Sequence, residues 1–265
     1  SASLLVTDER GECAEHDPVG GYYFHEARHL RRLRVEVNGA TPWLCAEGSS
    51  APDTLDFVYV YPELTRFGGG GTDVSDDTTW VNVHGVSQRA IDIRLSHTVK
   101  LDGMESALTL VNRSHEPVEL EIAWVLDADF ADIQEAQFDR REQEAGVVSA
   151  STEDGVEFSY QHPQLAYRTI VVAAGHEGAP SGTPDVARPF TGRLTTRVQL
   201  APQETRELTM TVTPIAGSET LSDADVSARQ ESLERWRTAF TRITMPGNRL
   251  FESIVETNIR DIGSF

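Results

Sequence analysis

The stretch LEIAWVL, residues 120–126, decides the fold class of this chain. Its large apolar residues occupy every second position: Leu120, Ile122, Trp124 and Leu126. Residues spaced in this way share one face of an extended strand, whereas a helix would repeat its apolar positions every three to four residues. The stretch therefore predicts a β-strand with one face in a core.

Similar short runs, separated by Gly, Pro, Asn and Asp, extend from residue 20 to about residue 213. The further predicted strands are residues 33–37 before the turn Asn38-Gly39, then 57–61, 80–83, 91–95, 108–110, 168–173, 194–200 and 208–212. With roughly a dozen strands, a single flat sheet would have to curl or split into two layers. We therefore expect an all-β fold, a large two-sheet β-sandwich or supersandwich, over residues 1–215.

Two helices are predicted to follow as linkers, over residues 216–265. Ser222 can cap the first, whose apolar side would consist of Val226, Leu233, Trp236 and Phe240. The second follows Pro246-Gly247 with Asn248 as its cap, and it has a broad apolar stripe. The stripe consists of Leu250, Phe251, Ile254, Val255, Ile259 and Ile262. We expect a following domain to cover it, the alternative being that it packs on the back of its own sandwich.

Composition limits the partners of the chain. With 42 acidic and 23 basic residues the net charge is −19, which disfavours nucleic acid and anionic membranes. A neutral carbohydrate remains compatible with this charge. The first residues lack a secretory-signal pattern, and we expect a cytoplasmic protein in which Cys13 and Cys45 are free thiols.

Three segments together resemble a known family. They are GYYFHEARHL (residues 21–30) leading into LRVEVNG (33–39), then NRS (112–114), then DADFADIQE (127–135). In this order they are similar to the N-terminal domain of bacterial amylo-α-1,6-glucosidases of the glycogen-debranching type. Residues 248–262 are similar to the helix that leads in that family from the sandwich into an (α/α)6 barrel. The chain departs from the family at Glu26, where Asp is usual, and at Ala27, where Thr is frequent.

The resemblance implies that catalysis belongs to another part of the protein. Glycoside hydrolysis needs two carboxyl groups about 5–10 Å apart, and in relatives the barrel supplies both. We expect no catalytic residue, no cofactor and no metal in this chain. Its expected partners are its own missing (α/α)6 domain and an α-glucan or small glucoside.

The acidic cluster of Asp127, Asp129, Asp132 and Glu135 has three interpretations. It can form a structural turn, since aspartates commonly end strands or cap helices; it can form a wall of a sugar site shared with the barrel; or it can bind a metal. The turn is favoured, because the cluster lacks the glycine and the distal Glu of a calcium loop. The scattered histidines give no zinc spacing, and Gly68–Gly71 is interpreted as a loop.

The candidate substrate-binding or domain-interface residues are Tyr22, Tyr23, Glu26, Arg28, Asp129 and Asp132. Arg28 is predicted to hold Asp129 or Asp132 in a bidentate pair, the alternative being an ordinary surface arginine. Tyr22 and Tyr23 are the better candidates for stacking on sugar rings, although packing in the core or at an interface is the favoured interpretation of both. Trp43, Trp80 and Trp124 are weaker candidates, and Trp124 is in phase with the core.

We expect a non-catalytic domain that packs on the catalytic barrel and helps to shape its α-glucan site. Two alternatives stay open: a free-standing carbohydrate-binding module, or a sandwich that serves only oligomerisation.

Overall fold

The computed structural model describes residues 3–14, 17–51, 53–63, 81–138, 140–142, 144–173, 177–180, 192–217, 223–239, 245 and 247–263. Several predictions fall outside these ranges: the glycine tract at 68–71, Trp80, and the helix cap Ser222. The side chains of Val226, Leu233, Phe240 and Ile262 also lie outside the described part.

Within the described residues the chain forms fifteen strands and three helices. They are β1 (Ser3–Val6), β2 (Gly21–Phe24), β3 (Ala27–Leu30), β4 (Arg32–Val37), β5 (Trp43–Ala51), β6 (Thr54–Tyr61), β7 (Ile91–Val99), β8 (Met104–Asn112), β9 (Val118–Asp127), α1 (Ile133–Phe138), β10 (Val147–Ser151), β11 (Gly155–Tyr160), β12 (Tyr167–Ala173), β13 (Glu177–Pro180), β14 (Gly192–Leu200), β15 (Thr205–Ala216), α2 (Asp223–Ala239) and α3 (Arg249–Gly263).

These strands form three antiparallel sheets. The large sheet has the order β10-β11-β12-β15-β8-β7-β6-β5, the small sheet the order β13-β14-β9-β4, and the N-terminal sheet the order β1-β2-β3. The inner faces of the sheets share one apolar core, so the predicted sandwich architecture is confirmed.

The strand β9 occupies the centre of the small sheet, between β14 and β4. Trp124, directly opposite Val35 and Leu194, is completely buried, as are Leu120, Ile122 and Leu126 on the same strand. Each such side chain contributes about 1.5–3 kcal/mol of hydrophobic stabilisation. The alternation of residues 120–126 is thus explained by packing against the large sheet, and Trp124 is a core residue.

The last of the described strands, β15, joins the two parts of the large sheet. β15 pairs with β8 along one edge and with β12 along the other. It therefore links the run β5–β8 to the run β10–β12, which would otherwise be separate meanders. Long-range pairing of this kind cannot be read from local hydrophobic patterns.

The predicted turn at Asn38-Gly39 is confirmed. Asn38 has φ 50° and Gly39 has φ 77°, the two positive values of a type I′ turn. The Asn38 side chain also accepts a hydrogen bond from the Glu121 amide at 2.8 Å, which ties the turn to β9.

One predicted strand, at residues 80–83, is wrong in its described part. Val81 forms an isolated bridge with Ser87, and a turn follows at once. The cause is Asn82, whose side-chain oxygen accepts hydrogen bonds from the amides of His84 at 3.0 Å and Val86 at 2.9 Å. A side chain that binds its own backbone in this way favours a turn.

The two predicted helices after the sandwich are present and contact each other. Asn248 caps α3, since its side-chain oxygen accepts a hydrogen bond from the Phe251 amide at 3.1 Å. Leu250 and Ile254 on α3 are 73% and 51% exposed. None of the described helices has the length and apolar character needed to cross a membrane.

Candidate functional site

The candidate site is built around the hairpin of β2 and β3. His25 and Glu26 form its two-residue turn, with φ values of 47° and 71°. Such a turn usually contains Asn-Gly, because a left-handed conformation costs other residues about 1–2 kcal/mol each. Both side chains are exposed, so the hairpin presents an imidazole and a carboxylate to solvent on a strained turn.

The segment at residues 130–133 holds this hairpin in place like a further strand. The Arg28 amide donates to the Ala131 carbonyl at 2.8 Å, and the Phe130 amide donates to the Arg28 carbonyl at 3.1 Å. At the turn itself, the Ile133 amide donates to the Glu26 carbonyl at 2.9 Å. The two motifs that carry the family resemblance, residues 21–30 and 127–135, are therefore neighbours in space.

Arg28 and Asp129 form a buried bidentate ion pair beneath the turn. Arg28 Nε lies 3.0 Å from Asp129 Oδ1, and Arg28 Nη2 lies 2.6 Å from Asp129 Oδ2. Arg28 Nη1 donates to the carbonyls of Pro18 at 2.7 Å and Gly20 at 3.2 Å. The predicted pairing is confirmed for Asp129, and the interpretation of Arg28 as a surface arginine is wrong, because its guanidinium is enclosed and fully engaged.

Gly21 makes room for this guanidinium. A Cβ atom at Gly21 would lie 2.5 Å from Arg28 Cδ and 2.7 Å from the Leu30 carbonyl oxygen. Distances this short do not occur between real atoms, so only glycine allows the backbone to pass Arg28 here.

Asp132 and Glu135 cap α1. Asp132 Oδ1 accepts a hydrogen bond from the Gln134 amide at 2.8 Å, and Glu135 Oε2 accepts one from the Asp132 amide at 3.1 Å. This reciprocal arrangement is a capping box. The favoured interpretation of the acidic cluster as a structural turn is confirmed for these two residues. Sequence reasoning recognised the aspartate as a cap but missed its partnership with Glu135.

Arg141 connects the ion pair to the capped helix, and sequence reasoning missed it. Its Nη1 lies 3.4 Å from Asp129 Oδ2, and its Nε lies 3.5 Å from Glu135 Oε2. Its Nη2 donates to the Asp129 carbonyl at 3.1 Å. No motif surrounds Arg141 in the sequence, so only the three-dimensional arrangement identifies it.

Asp127 stands apart from this network. Its Oδ2 lies 3.2 Å from Arg31 Nε, and its Oδ1 accepts a hydrogen bond from the Ala128 amide at 3.0 Å. Burial outweighs the attraction of the half-exposed Arg31, so the pKa of Asp127 is raised to about 7.

The proposed stacking role of Tyr22 and Tyr23 needs correction. Tyr22 is completely buried in the main core, with its hydroxyl 3.4 Å from Ser3 Oγ. Tyr23 packs with Ala131 and Ala136, and its hydroxyl donates to the Val19 carbonyl at 2.9 Å. Because neither ring face reaches the surface, neither tyrosine can stack on a sugar in this conformation.

A different tyrosine packs against the hairpin and against the segment that pairs with it. Tyr167 is half-buried and stacks against Phe130 at a ring-centroid distance of 6.2 Å. Its ring also contacts His29 of β3 at a centroid distance of 6.0 Å, and Asp132 pairs with Ala27 beside the turn. Burial raises the pKa of the Tyr167 phenol, and the negative charges of Asp132 and Glu26 raise this pKa further. We call His25, Glu26, Asp132 and Tyr167 the turn surface.

The turn surface can bind a polyhydroxylated ligand. Carboxylates accept hydrogen bonds from hydroxyl groups, and a tyrosine offers both an apolar ring and a polar hydroxyl. Its backbone is held by the Arg28–Asp129 pair, so little entropy would be lost on binding. Within the described residues, no three His, Cys, Asp or Glu side chains lie together as a metal site would need.

Comparison with protein families identifies the fold. Residues 1–211 match the family described as the N-terminal domain of (some) glycogen debranching enzymes. The chain belongs to this family. The match includes every residue of the turn surface and every residue of the network beneath it, so this glycogen debranching enzyme N-terminal domain carries its candidate site within the family's own boundaries.

Three solved structures are similar to this glycogen debranching enzyme N-terminal domain at low identity. A proposed kojibiose phosphorylase from the human microbiome is 7% identical, with 95% of this chain and 30% of that chain covered and a TM-score of 0.47. A galactose mutarotase-like protein from Lactobacillus casei ATCC 334 is 5% identical, with 80% and 100% covered and a TM-score of 0.41. The heparan sulfate lyase HepC from Pedobacter heparinus is 9% identical, with 74% and 25% covered and a TM-score of 0.36.

The domain thus spans less than a third of the kojibiose phosphorylase chain that it matches. No protein with a curated description matches its sequence.

Proposed function

We propose that this chain is the non-catalytic N-terminal domain of an amylo-α-1,6-glucosidase, and that its turn surface forms one wall of the α-glucan site. The catalytic carboxyl groups belong to an (α/α)6 domain that packs against it. Membership in the glycogen debranching enzyme family supports the substrate class.

The observation that carries this proposal is the exposed Glu26 on a left-handed turn. Strained backbone persists only where its surroundings over-determine it, and it is concentrated at functional sites. Here the strain is held by the buried Arg28–Asp129 pair and by the pairing with residues 130–133. A turn with no function would be expected to have Asn-Gly, as the turn at Asn38-Gly39 of the same chain does.

In this proposal the turn surface binds the α-glucan and distinguishes it from other ligands. The two oxygens of the Glu26 carboxylate can accept hydrogen bonds from neighbouring hydroxyls of one glucosyl unit. Asp132 presents a second carboxylate, while one of its oxygens also caps α1. A site that hydrogen-bonds sugar hydroxyls discriminates strongly against ligands that lack them, because its polar groups would then be left unpaired.

The catalytic domain is proposed to cover the apolar stripe of α3. Leu250 and Ile254 are exposed at one edge of the stripe, while Phe251, Val255 and Ile259 are half-buried. Exposed apolar side chains aligned on one helix face are typical of an interface. Both described cysteines are free thiols, which supports a reducing, cytoplasmic location.

The test is hydrolysis of a short branched α-glucan by the full-length enzyme with Glu26→Gln and, separately, Asp132→Asn. Both changes remove a charge with little change in shape, and asparagine remains a good helix cap. We expect the KM to rise about tenfold for Glu26→Gln, as for the loss of one charged hydrogen bond, while kcat changes little.

The matched control is Glu119→Gln, which removes an exposed carboxylate from β9. An unchanged KM in both turn-surface variants would refute a role of this surface in substrate binding.

A further inference from the structure

Trp43 is an exposed tryptophan that the turn surface does not use. It opens β5, the edge strand of the large sheet, and it is 55% exposed. Of the tryptophans whose side chains the structure describes, Trp124 is buried and Trp236 is half-buried. A large indole left this open on a folded domain is unusual, because its burial would be strongly favourable.

The strand register places Trp43 on the outer face of the large sheet. It lies directly opposite Val60, which alternates with the inward-facing Tyr59 and Tyr61 on β6. Val58 on the same outer face is also exposed. The indole therefore stands beside a shallow apolar floor of valines.

Polar groups border this floor on the next strand. Asp92 on β7 is directly opposite Val60, and its Oδ2 accepts a hydrogen bond from Arg113 Nε at 2.7 Å. Asp92 is two strands from Trp43, a distance of about 10 Å across the sheet. Asp92 and Arg113 neutralise each other, and the exposed Arg94, directly opposite Val58, adds a positive charge beside the floor.

We propose that Trp43, Val58, Val60, Asp92 and Arg113 form a second α-glucan site, which holds a chain of the polymer away from the turn surface. The indole would stack on the apolar face of a glucosyl ring, and the Asp92–Arg113 pair would exchange hydrogen bonds with hydroxyls of the same chain. The ligand class rests on the proposed function. β5 and β12, the strand that carries Tyr167, are five strands apart in the large sheet, about 24 Å.

The shape of β5 argues against an added protein strand as the occupant. Its pairing with β6 shifts register between Leu44 and Ala46 and again between Gly48 and Ala51. Irregularities of this kind interrupt the row of hydrogen-bonding groups that another strand would need, and they protect edge strands from such pairing. A neutral polymer that binds through ring faces and hydroxyls has no such requirement.

The experiment is native electrophoresis of the 265-residue chain through gels containing increasing amounts of glycogen. We expect glycogen to retard the unmodified chain, and we expect Trp43→Ala to weaken the apparent affinity by about tenfold, as for the loss of one stacking contact. The matched control is Phe138→Ala, which removes an aromatic ring that is 71% exposed on α1. This control should be retarded like the unmodified chain.

Thermal unfolding of each variant shows whether it is folded, and truncation at an exposed position should leave the midpoint nearly unchanged. If glycogen does not retard the unmodified chain, or if it retards Trp43→Ala equally, the second site does not exist. This outcome is distinct from failure of the turn surface, which is measured with the full-length enzyme on a substrate too short to span both sites.

Discussion

At the scale of the residue, the Arg28–Asp129 pair supports the first prediction. Asp129→Ala would leave the guanidinium of Arg28 buried without its carboxylate, and breaking such a pair costs about 3–5 kcal/mol. We expect the free energy of unfolding, measured by urea denaturation, to fall by that amount.

The control for this change is Glu105→Ala, which breaks the exposed ion pair with Lys100. An exposed pair contributes only about 0–1 kcal/mol. Equal losses in the two variants would show that the Arg28–Asp129 pair is no more important than a surface contact.

Because His97 is buried, we expect the chain to lose stability in acid. The Nδ1 atom of His97 lies 2.7 Å from Ser106 Oγ, and its Nε2 donates to the Gly11 carbonyl at 3.3 Å. Burial lowers its pKa to about 4, so between about pH 6.5 and 4 the unfolded chain binds the extra proton. Its contribution to stability is therefore lost as the pH falls through that range, by about 2 kcal/mol on reaching about pH 5.

The measurement for His97 is the urea midpoint of the unmodified chain and of His97→Gln at about pH 7.5 and about pH 5. The difference between the two proteins should shrink at the lower pH. His84→Gln, which changes an exposed histidine, should have the same urea midpoint as the unmodified chain at both pH values. A constant difference for His97→Gln would contradict a buried, neutral imidazole.

Asp127 should give stability the opposite dependence on pH. Burial raises its pKa to about 7, so between about pH 4 and 7 the folded chain holds a proton that the unfolded chain has released. Stability is therefore lost as the pH rises through this range. In this range the free energy of unfolding of Asp127→Asn should rise, relative to that of the unmodified chain, by up to about 1.4 kcal/mol per pH unit. Chemical unfolding of both proteins at matched pH values measures this difference. If the two proteins differ equally at every pH, Asp127 is ionised throughout.

The sequence identified some of these residues for sound physical reasons and missed others. Arg28 and Asp129 were recognisable because both lie in motifs dense with charge and aromatic rings. Packing of Tyr22 and Tyr23 in the core or at an interface was the favoured interpretation. The sequence did not show how both could be buried, because adjacent residues on a strand normally face opposite sides. Here β2 is covered on both sides, by the main core over Tyr22 and by Ala131 and Ala136 over Tyr23.

At the scale of the element, the turn at His25 and Glu26 should lower the stability of the chain in exchange for substrate binding. Replacing His25-Glu26 with Asn-Gly would keep the type I′ conformation and relieve its strain. We expect the free energy of unfolding of the chain to rise by about 1–2 kcal/mol. The KM of the proposed full-length glucosidase should rise as well. Thermal unfolding and kinetics on the same protein test both halves.

The matched control for the hairpin replaces Asn38-Gly39 with His-Glu. This change should destabilise the chain by at least that amount, because it also removes the hydrogen bond between Asn38 and the Glu121 amide, and it should leave the KM unchanged. Unchanged stability after the Asn-Gly replacement would show that the turn at His25 and Glu26 stores no strain.

Elements with strong alternation were predictable, and irregular ones were not. The strands β4, β7, β8 and β9 have a regular apolar repeat, and the sequence located all four. In β5, the two register shifts and the sequence WLCAEGSSA remove any repeat. All residues of β5 are exposed or half-buried, so no buried face imposes an apolar repeat on this strand.

At the scale of the whole molecule, the question is whether the apolar stripe of α3 packs on the sandwich or on another domain. We expect the double change Leu250→Ser and Ile254→Ser to alter the thermal midpoint of the 265-residue chain little, because both side chains are exposed. In the proposed full-length enzyme the same change should lower the thermal midpoint, because the catalytic domain is proposed to cover this stripe. Strong destabilisation of the 265-residue chain would instead mean that the stripe packs on its own sandwich.

The position of β15 has a consequence for how the protein is made. During translation the chain emerges at about 5–20 residues per second, and domains begin to fold from the N-terminal side. The free edges of β8 and β12 stay open until the residues of β15 have left the ribosome. We expect nascent chains that end before residue 205 to bind chaperones and to be cut readily by proteases. Chains in which residue 216 is already outside the exit tunnel should resist both, because one late strand closes the sheet.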